Sequence, residues 1–172
     1  MYMVIYMTVK KYHYIAFLFI LIFGTAMHFA YSFFCQNPLI AYFVPVNESP
    51  WEHLKLLFFP AVTFSVFEYF VYGKTRKDFW AIKMTALVFS MLFILVFFYT
   101  YSGILGFYLL PLDILDFVIA DFLYCFISYK MYNNICVGSV SDSIKGIAVI
   151  VLIALCFVIW TNNPPDLGLF WG

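Results

Sequence analysis

A chain of 172 residues with 66% apolar and only 10% charged side chains, and a mean hydropathy of +0.98, lies outside the range of soluble globular domains. Nucleic-acid recognition is excluded with them, since no basic aromatic surface is present and the formal net charge is zero. The expected class is all-α, an integral membrane bundle of five transmembrane helices in one domain over residues 1–172, with the lipid bilayer as its first partner.

Crossing the hydrocarbon takes about 20 apolar residues, and five segments qualify, at about 14–35, 51–72, 79–101, 111–132 and 144–161. The first follows Lys10 and Lys11 in the manner of a secretory signal. It is too long for a signal core and lacks a small-residue cleavage site, so it reads as a helix. Between the first and second segments, "QNPLIAYFVPVNES" is too short to span and too apolar for a free loop. A re-entrant or interfacial segment folded against the bundle is expected there. The connections at 73–78 and 133–143 are short and polar, and need only turn the chain. Lys10, Lys11, Lys74, Arg76, Lys77, Lys83, Lys130 and Lys145 fall on one side of this path, and Lys55 alone on the other. The positive-inside rule then predicts a cytoplasmic N-terminus and an external C-terminus in a cell (inner) membrane. The cysteines, Cys35, Cys125, Cys136 and Cys156, are scattered and read as packing residues.

Polarity concentrates in "VPVNESPWEHLKLLFFP", Val44 to Pro60. Ser49, Pro50 and Glu52 match a capping box with proline in the first helical position, the Glu52 carboxylate returning to the Ser49 amide. Trp51 reads as an interfacial belt residue. Asn47, Glu48 and His53 are left over by capping. His53 stands in the first turn, where the helix dipole favours a neutral imidazole that can donate, accept or bind metal. His28, with Tyr31 and Ser32 on its face, sits at a similar depth in the first helix. Asp113 and Asp116, one turn apart in "PLDILDF", reach that depth from the fourth.

Deeper in, Asp121 costs several kcal/mol as a bare charge unless it is paired or hydrated, and Tyr124 at i+3 is its nearest partner in sequence. Glu68 is expected in an ion pair with Lys74 or Lys83, and Lys83 can also snorkel to the interface. The Ala26–Ala30 step is a small-residue surface suited to close helix packing.

Ionisable groups in membrane helices face the bundle interior or a cavity. Convergence of Asn47, Glu48, Glu52, His53, His28, Asp113 and Asp116 on one outer-leaflet pocket is therefore expected. Neutral imidazole with carboxylate suits a divalent metal ion such as Zn²⁺, Mn²⁺ or Fe²⁺, with His28, Glu48, His53 and Asp116 as the candidate ligands. Three functions fit. The first is binding of a cation or small polar ligand as a transport or sensing component, alone or with a partner membrane subunit. The second is a metal-dependent hydrolase or transferase acting on a lipid head group, with Glu48 as general base. The third is a structural or partner-binding protein. No Gly-rich phosphate loop or nucleophile elbow is present.

The segments "HFAYSF", "NPLIAYFVPVNESPWEHLKLLFFP", "FWAIK" and "PLDILD" together resemble a family of small bacterial multi-pass membrane proteins classed only as a domain of unknown function. The specific part is PVNES-x-WEHLKL, matched by Asn47, Glu48, Trp51, Glu52, His53 and Lys55. The resemblance implies a bacterial inner-membrane location and no mechanism.

Overall fold

In the computed structural model, which describes residues 2–133 and 137–171, the described residues are helical and no strand occurs among them. The order is α1 (Tyr2–Phe33), α2 (Pro38–Ala41), α3 (Pro50–Val71), α4 (Phe79–Leu105), α5 (Leu110–Tyr132) and α6 (Val140–Asn162). Short 3₁₀ turns at Gly73–Thr75 and Gly168–Phe170 complete it. Val9–Phe33, Pro50–Val71, Phe79–Leu105 and Val140–Asn162 are each long and apolar enough to cross a membrane. The fifth expected span, α5, has the same 23-residue length as α6. Its Asp113, Asp116, Asp121 and Lys130 set it apart from those four.

Helix α3 is the axis of the bundle. In its most apolar stretch 56% of residues are buried, against 17% in α1 and in α6. Around it α1 packs on α3 and α5, and α4 on α5, α6 and α3. Pro60 lies inside α3, so the Leu56 carbonyl loses its helical donor. Gly24 of α1 sits over that carbonyl, where a Cβ would come within 2.6 Å of it and within 2.6 Å of Phe117 Cζ. The close approach of α1 is thus made at Gly24 rather than at the Ala26–Ala30 step, in which Ala26 is exposed.

Helix α1 begins twelve residues before the expected start at 14; Lys10 and Lys11 interrupt hydropathy but not helix propensity. It ends at Phe33, where Cys35 and Gln36 turn the chain at φ 53° and 58°. Helix α6 starts at Val140, ahead of the expected 144, because Ser139 and Asp142 form a reciprocal capping box. Cys136 lies outside the described residues.

Trp51 is not a belt residue. It is 9% exposed and its ring meets Phe157 and Trp160 at 4.8 Å and Phe170 at 5.2 Å. It thereby ties α3 to α6 and to the final 3₁₀ turn. At the opposite end of α3 the two polar connections are clasped together. Arg76 Nε and Nη2 donate to the two Asp78 oxygens at 2.8 and 3.2 Å, and the Gly138 amide donates to Asp78 Oδ2 at 2.8 Å. Burial alone would raise the Asp78 carboxyl, but the Arg76 and Gly138 bonds outweigh it and hold it below the usual carboxylate range.

A buried ion pair joins α3 to α4. Glu68 is fully buried; it receives Lys83 Nζ at 2.5 Å and the Tyr72 hydroxyl, with His13 Nδ1 4.0 Å away. Its partner is therefore Lys83, which is 2% exposed and does not snorkel. Lys74 instead lies over the Phe70 ring at 4.7 Å. His13 has both nitrogens satisfied, Nδ1 on Val9 O at 2.8 Å and Nε2 on Ser128 Oγ at 3.1 Å. Asp121 is not bonded to Tyr124, whose hydroxyl goes to Ser65 Oγ at 2.7 Å. It instead accepts from Cys125 Sγ at 3.8 Å.

Candidate functional site

The site is built around the N-terminus of α3. Ser49 Oγ accepts from the Glu52 amide at 3.3 Å, as the capping motif requires. The return bond expected from Glu52 is absent, because the Ser49 amide donates to Asn47 Oδ1 at 3.0 Å in an Asx turn. Glu52 is drawn elsewhere. Its carboxylate accepts from the Val46 amide at 3.0 Å, from Thr161 at 3.1 Å and from Lys55 Nζ at 2.6 Å.

Lys55 is fully buried. Its ammonium donates to Glu52, to Thr161 Oγ1 at 2.7 Å and to the Ala41 carbonyl at 2.9 Å, with the Val44 carbonyl at 3.3 Å. One cation therefore joins α3, α6 and the segment after α2. This is what folds the apolar "PLIAYFVPV" stretch back onto the bundle and delivers Glu48 to the start of α3. Lys55 was not expected to have this role; its i+3 spacing from Glu52 was the signal available.

His53 Nδ1 lies 2.9 Å from the Ser49 carbonyl. A carbonyl only accepts, so Nδ1 carries the proton and Nε2 is left with its lone pair. That lone pair faces Glu48 Oε2 at 3.4 Å. The Glu48 side chain is 75% exposed, and at this spacing its carboxylate can share a proton or a cation with His53. The His28 ring lies beside His53, centroids 5.3 Å apart and planes inclined by 39°. Its Nδ1 is buried and has no hydrogen-bond partner among the described residues. One donor atom each from His28, Glu48 and His53 lie within 4.8 Å of one another.

These residues line a cavity of about 510 Å³ that also receives Asp113 and Asp116 from α5 and Ile94 and Phe98 from α4. Asp113 accepts from the Tyr101 hydroxyl. Asp116 is 2% exposed and its Oδ1 has no partner among the described residues. The fold therefore gathers His28, Glu48, His53, Asp113 and Asp116 around one space. Asn47 and Glu52 stand behind it as supports rather than on its wall. Asp116 lines the same cavity but falls outside the tight group of three.

Tetrahedral coordination with bonds of about 2.1 Å sets donors roughly 3.4 Å apart. His53 Nε2 and Glu48 Oε2 stand at that spacing, and a donor atom of His28 lies within 4.8 Å of the other two residues' donor atoms. The Ser49 carbonyl fixes the His53 tautomer as outer-shell partners of metal-bound histidines do.

Comparison with curated proteins finds no match, and comparison with solved structures finds none. A family of unknown function, DUF6512, matches residues 1–172, and the chain belongs to that family.

Proposed function

We propose that this membrane protein binds a divalent transition-metal cation in the cavity at the head of α3, through His28 and His53 and the Glu48 carboxylate, as a transport or sensing component. The observation that carries the reading is the His53 lone pair facing the Glu48 carboxylate at 3.4 Å, beside a His28 nitrogen that has no hydrogen-bond partner among the described residues. A divalent ion satisfies all three at once, and imidazole with carboxylate suits Zn²⁺, Mn²⁺ or Fe²⁺.

The accompanying topology is five crossings, with α5 as the fourth, and a re-entrant α2 segment. Asp116 and Asp121 of α5 are buried in the bundle, as intramembrane acids are. The end bearing Lys74, Arg76, Lys77 and Lys130 faces the cytoplasm and the cavity opens outward, in keeping with a bacterial inner membrane.

A second reading has an observation of its own. Three protein ligands leave a fourth position open toward a cavity large enough for substrate, the arrangement of catalytic zinc sites. It would make the protein a hydrolase or transferase for lipid head groups, with the metal supplying an activated water.

Elemental analysis of purified protein tests the binding reading. Wild type is expected to retain close to one metal ion per chain, and His53→Ala and His28→Ala to lose it. Metal absent from wild type, or retained in full by both variants, refutes it. Turnover of head-group substrates by the loaded wild type, lost in His53→Ala, would favour the second reading over transport or sensing.

A further inference from the structure

We infer that the cavity beside the histidines also takes an organic primary ammonium, its charged head on Asp116 and its apolar body against Ile94, Phe98 and Phe117. This rests on the cation reading for the charge of the neighbouring wall.

Size is the first argument. A metal ion with two or three waters, at about 30 Å³ per water, fills less than a quarter of the space. The cavity's 510 Å³ instead falls among pockets for organic ligands. Its wall is built as such pockets are, with leucine, isoleucine and phenylalanine side chains around a few convergent polar groups.

Charge is the second. Glu48, Asp113 and Asp116 line the cavity, and no lysine or arginine does among the described residues. The buried ammonium of Lys55 is paired with Glu52. A divalent ion at the histidines occupies Glu48, and an organic cation brings a positive charge to the Asp113 and Asp116 side, where no lysine or arginine stands among the described residues. An anionic ligand would instead meet Asp116 with nothing to balance it.

The third is an unfilled hydrogen-bond requirement. Asp113 has the Tyr101 hydroxyl, whereas Asp116, 2% exposed, keeps a buried oxygen with no donor among the described residues. Buried acceptors are almost always satisfied, and a bare one marks where a ligand or water belongs. An ammonium supplies three donors. The faces of Phe98 and Phe117 then suit both the apolar body and the cation. A free amine and the aminoethyl head of a phospholipid share this chemistry.

Calorimetry on the full-length, zinc-loaded protein in phosphatidylcholine nanodiscs tests the inference with three water-soluble probes of similar shape. They are 2-phenylethylammonium, 2-phenylethanol and 3-phenylpropionate. The ammonium is expected to bind at least tenfold more tightly than the alcohol and the carboxylate, and Asp116→Asn to abolish that preference while Asp116→Glu keeps part of it. An alcohol or carboxylate that binds as well as the ammonium overturns the inference, as does a preference unchanged in Asp116→Asn. If Asp116→Asn does not fold, the three wild-type affinities decide alone. Repeating the titration with phosphatidylethanolamine in the nanodisc separates the sources: competition assigns the site to the lipid head, and an unchanged affinity assigns it to a free amine. The zinc content of the same wild-type sample keeps the two readings apart. Zinc absent with the ammonium preference intact removes the metal alone, and zinc present without the preference removes this inference alone.

Discussion

Replacing Lys55 by methionine removes a cation while keeping most of its apolar stem. Glu52, 2% exposed, then loses the partner 2.6 Å away and keeps the Val46 amide at 3.0 Å and, at 3.1 Å, a Thr161 hydroxyl whose proton it shares with the Phe157 carbonyl. Removing one member of a buried pair costs about 3–5 kcal/mol. The two surviving bonds place this case near the lower end, about 3 kcal/mol, which for a chain of this size lowers Tm by about 6–12 °C. The double variant Glu52→Gln with Lys55→Met leaves no unpaired charge, and is expected to recover about half of the loss or more. Thermal unfolding in detergent, followed by tryptophan fluorescence, reads both. Because Lys55 also holds the Ala41 and Val44 carbonyls, the single variant should bind metal more weakly even where it remains folded. A single variant within about 2 °C of wild type, or a double variant no better than the single, would refute the view of Lys55 as the joint of this fold.

Gly24→Ala places a methyl 2.6 Å from the Leu56 carbonyl and from Phe117. It should cost about 1–3 kcal/mol and, by prying α1 from α3 one turn below His28, reduce metal retention measured on the same sample. Lys83→Met strips the fully buried Glu68 of its partner and should destabilise by about 3–5 kcal/mol, largely restored by adding Glu68→Gln. Equal melting of single and double variants would show that the pair is not coupled. The Asp78 carboxyl is held below its ordinary value, so its stabilisation is full above the unfolded value of about 3.9 and is lost as pH falls below it. The Tm gap between wild type and Asp78→Asn should therefore be constant near neutrality and close on acidification below about pH 4. A gap that widens there contradicts the Arg76–Asp78–Gly138 clasp.

The helices were legible because apolar runs in this chain end at proline, glycine or charge, and the expected bounds at 51–72 and 111–132 differ by only one residue from α3 and α5. The start of α1 was not, since a helix continues past the point where hydropathy stops. Local partners were overvalued throughout. Glu52 could reach the Ser49 amide within one turn, yet its charge is taken by Lys55 and Thr161, the latter more than 100 residues away. Tyr124 sits one turn from Asp121 but bonds Ser65 on another helix. The Glu68–Lys83 pair was among the expected ones, and the alternative of Lys83 at the interface fails because the packing of α3 on α4 leaves it 2% exposed. Of the candidate residues, His28, Glu48, His53, Asp113 and Asp116 line one cavity. Asp116 is there because a buried acid in a membrane helix faces the interior, whereas Glu48, its side chain 75% exposed, reaches it from the loop before α3. A shared pocket was expected, but its apolar wall, Ile94 and Phe98, could not be read, since it looks like any lipid-facing stretch.

X-ray absorption at the zinc edge of the loaded wild-type protein addresses the His28–Glu48–His53 centre most directly. Two imidazole nitrogens at about 2.0–2.1 Å with oxygen completing the shell are expected, falling to one imidazole in His28→Ala or His53→Ala. A spectrum without imidazole scattering, or one unchanged in both variants, would contradict the assignment of these residues as the metal site.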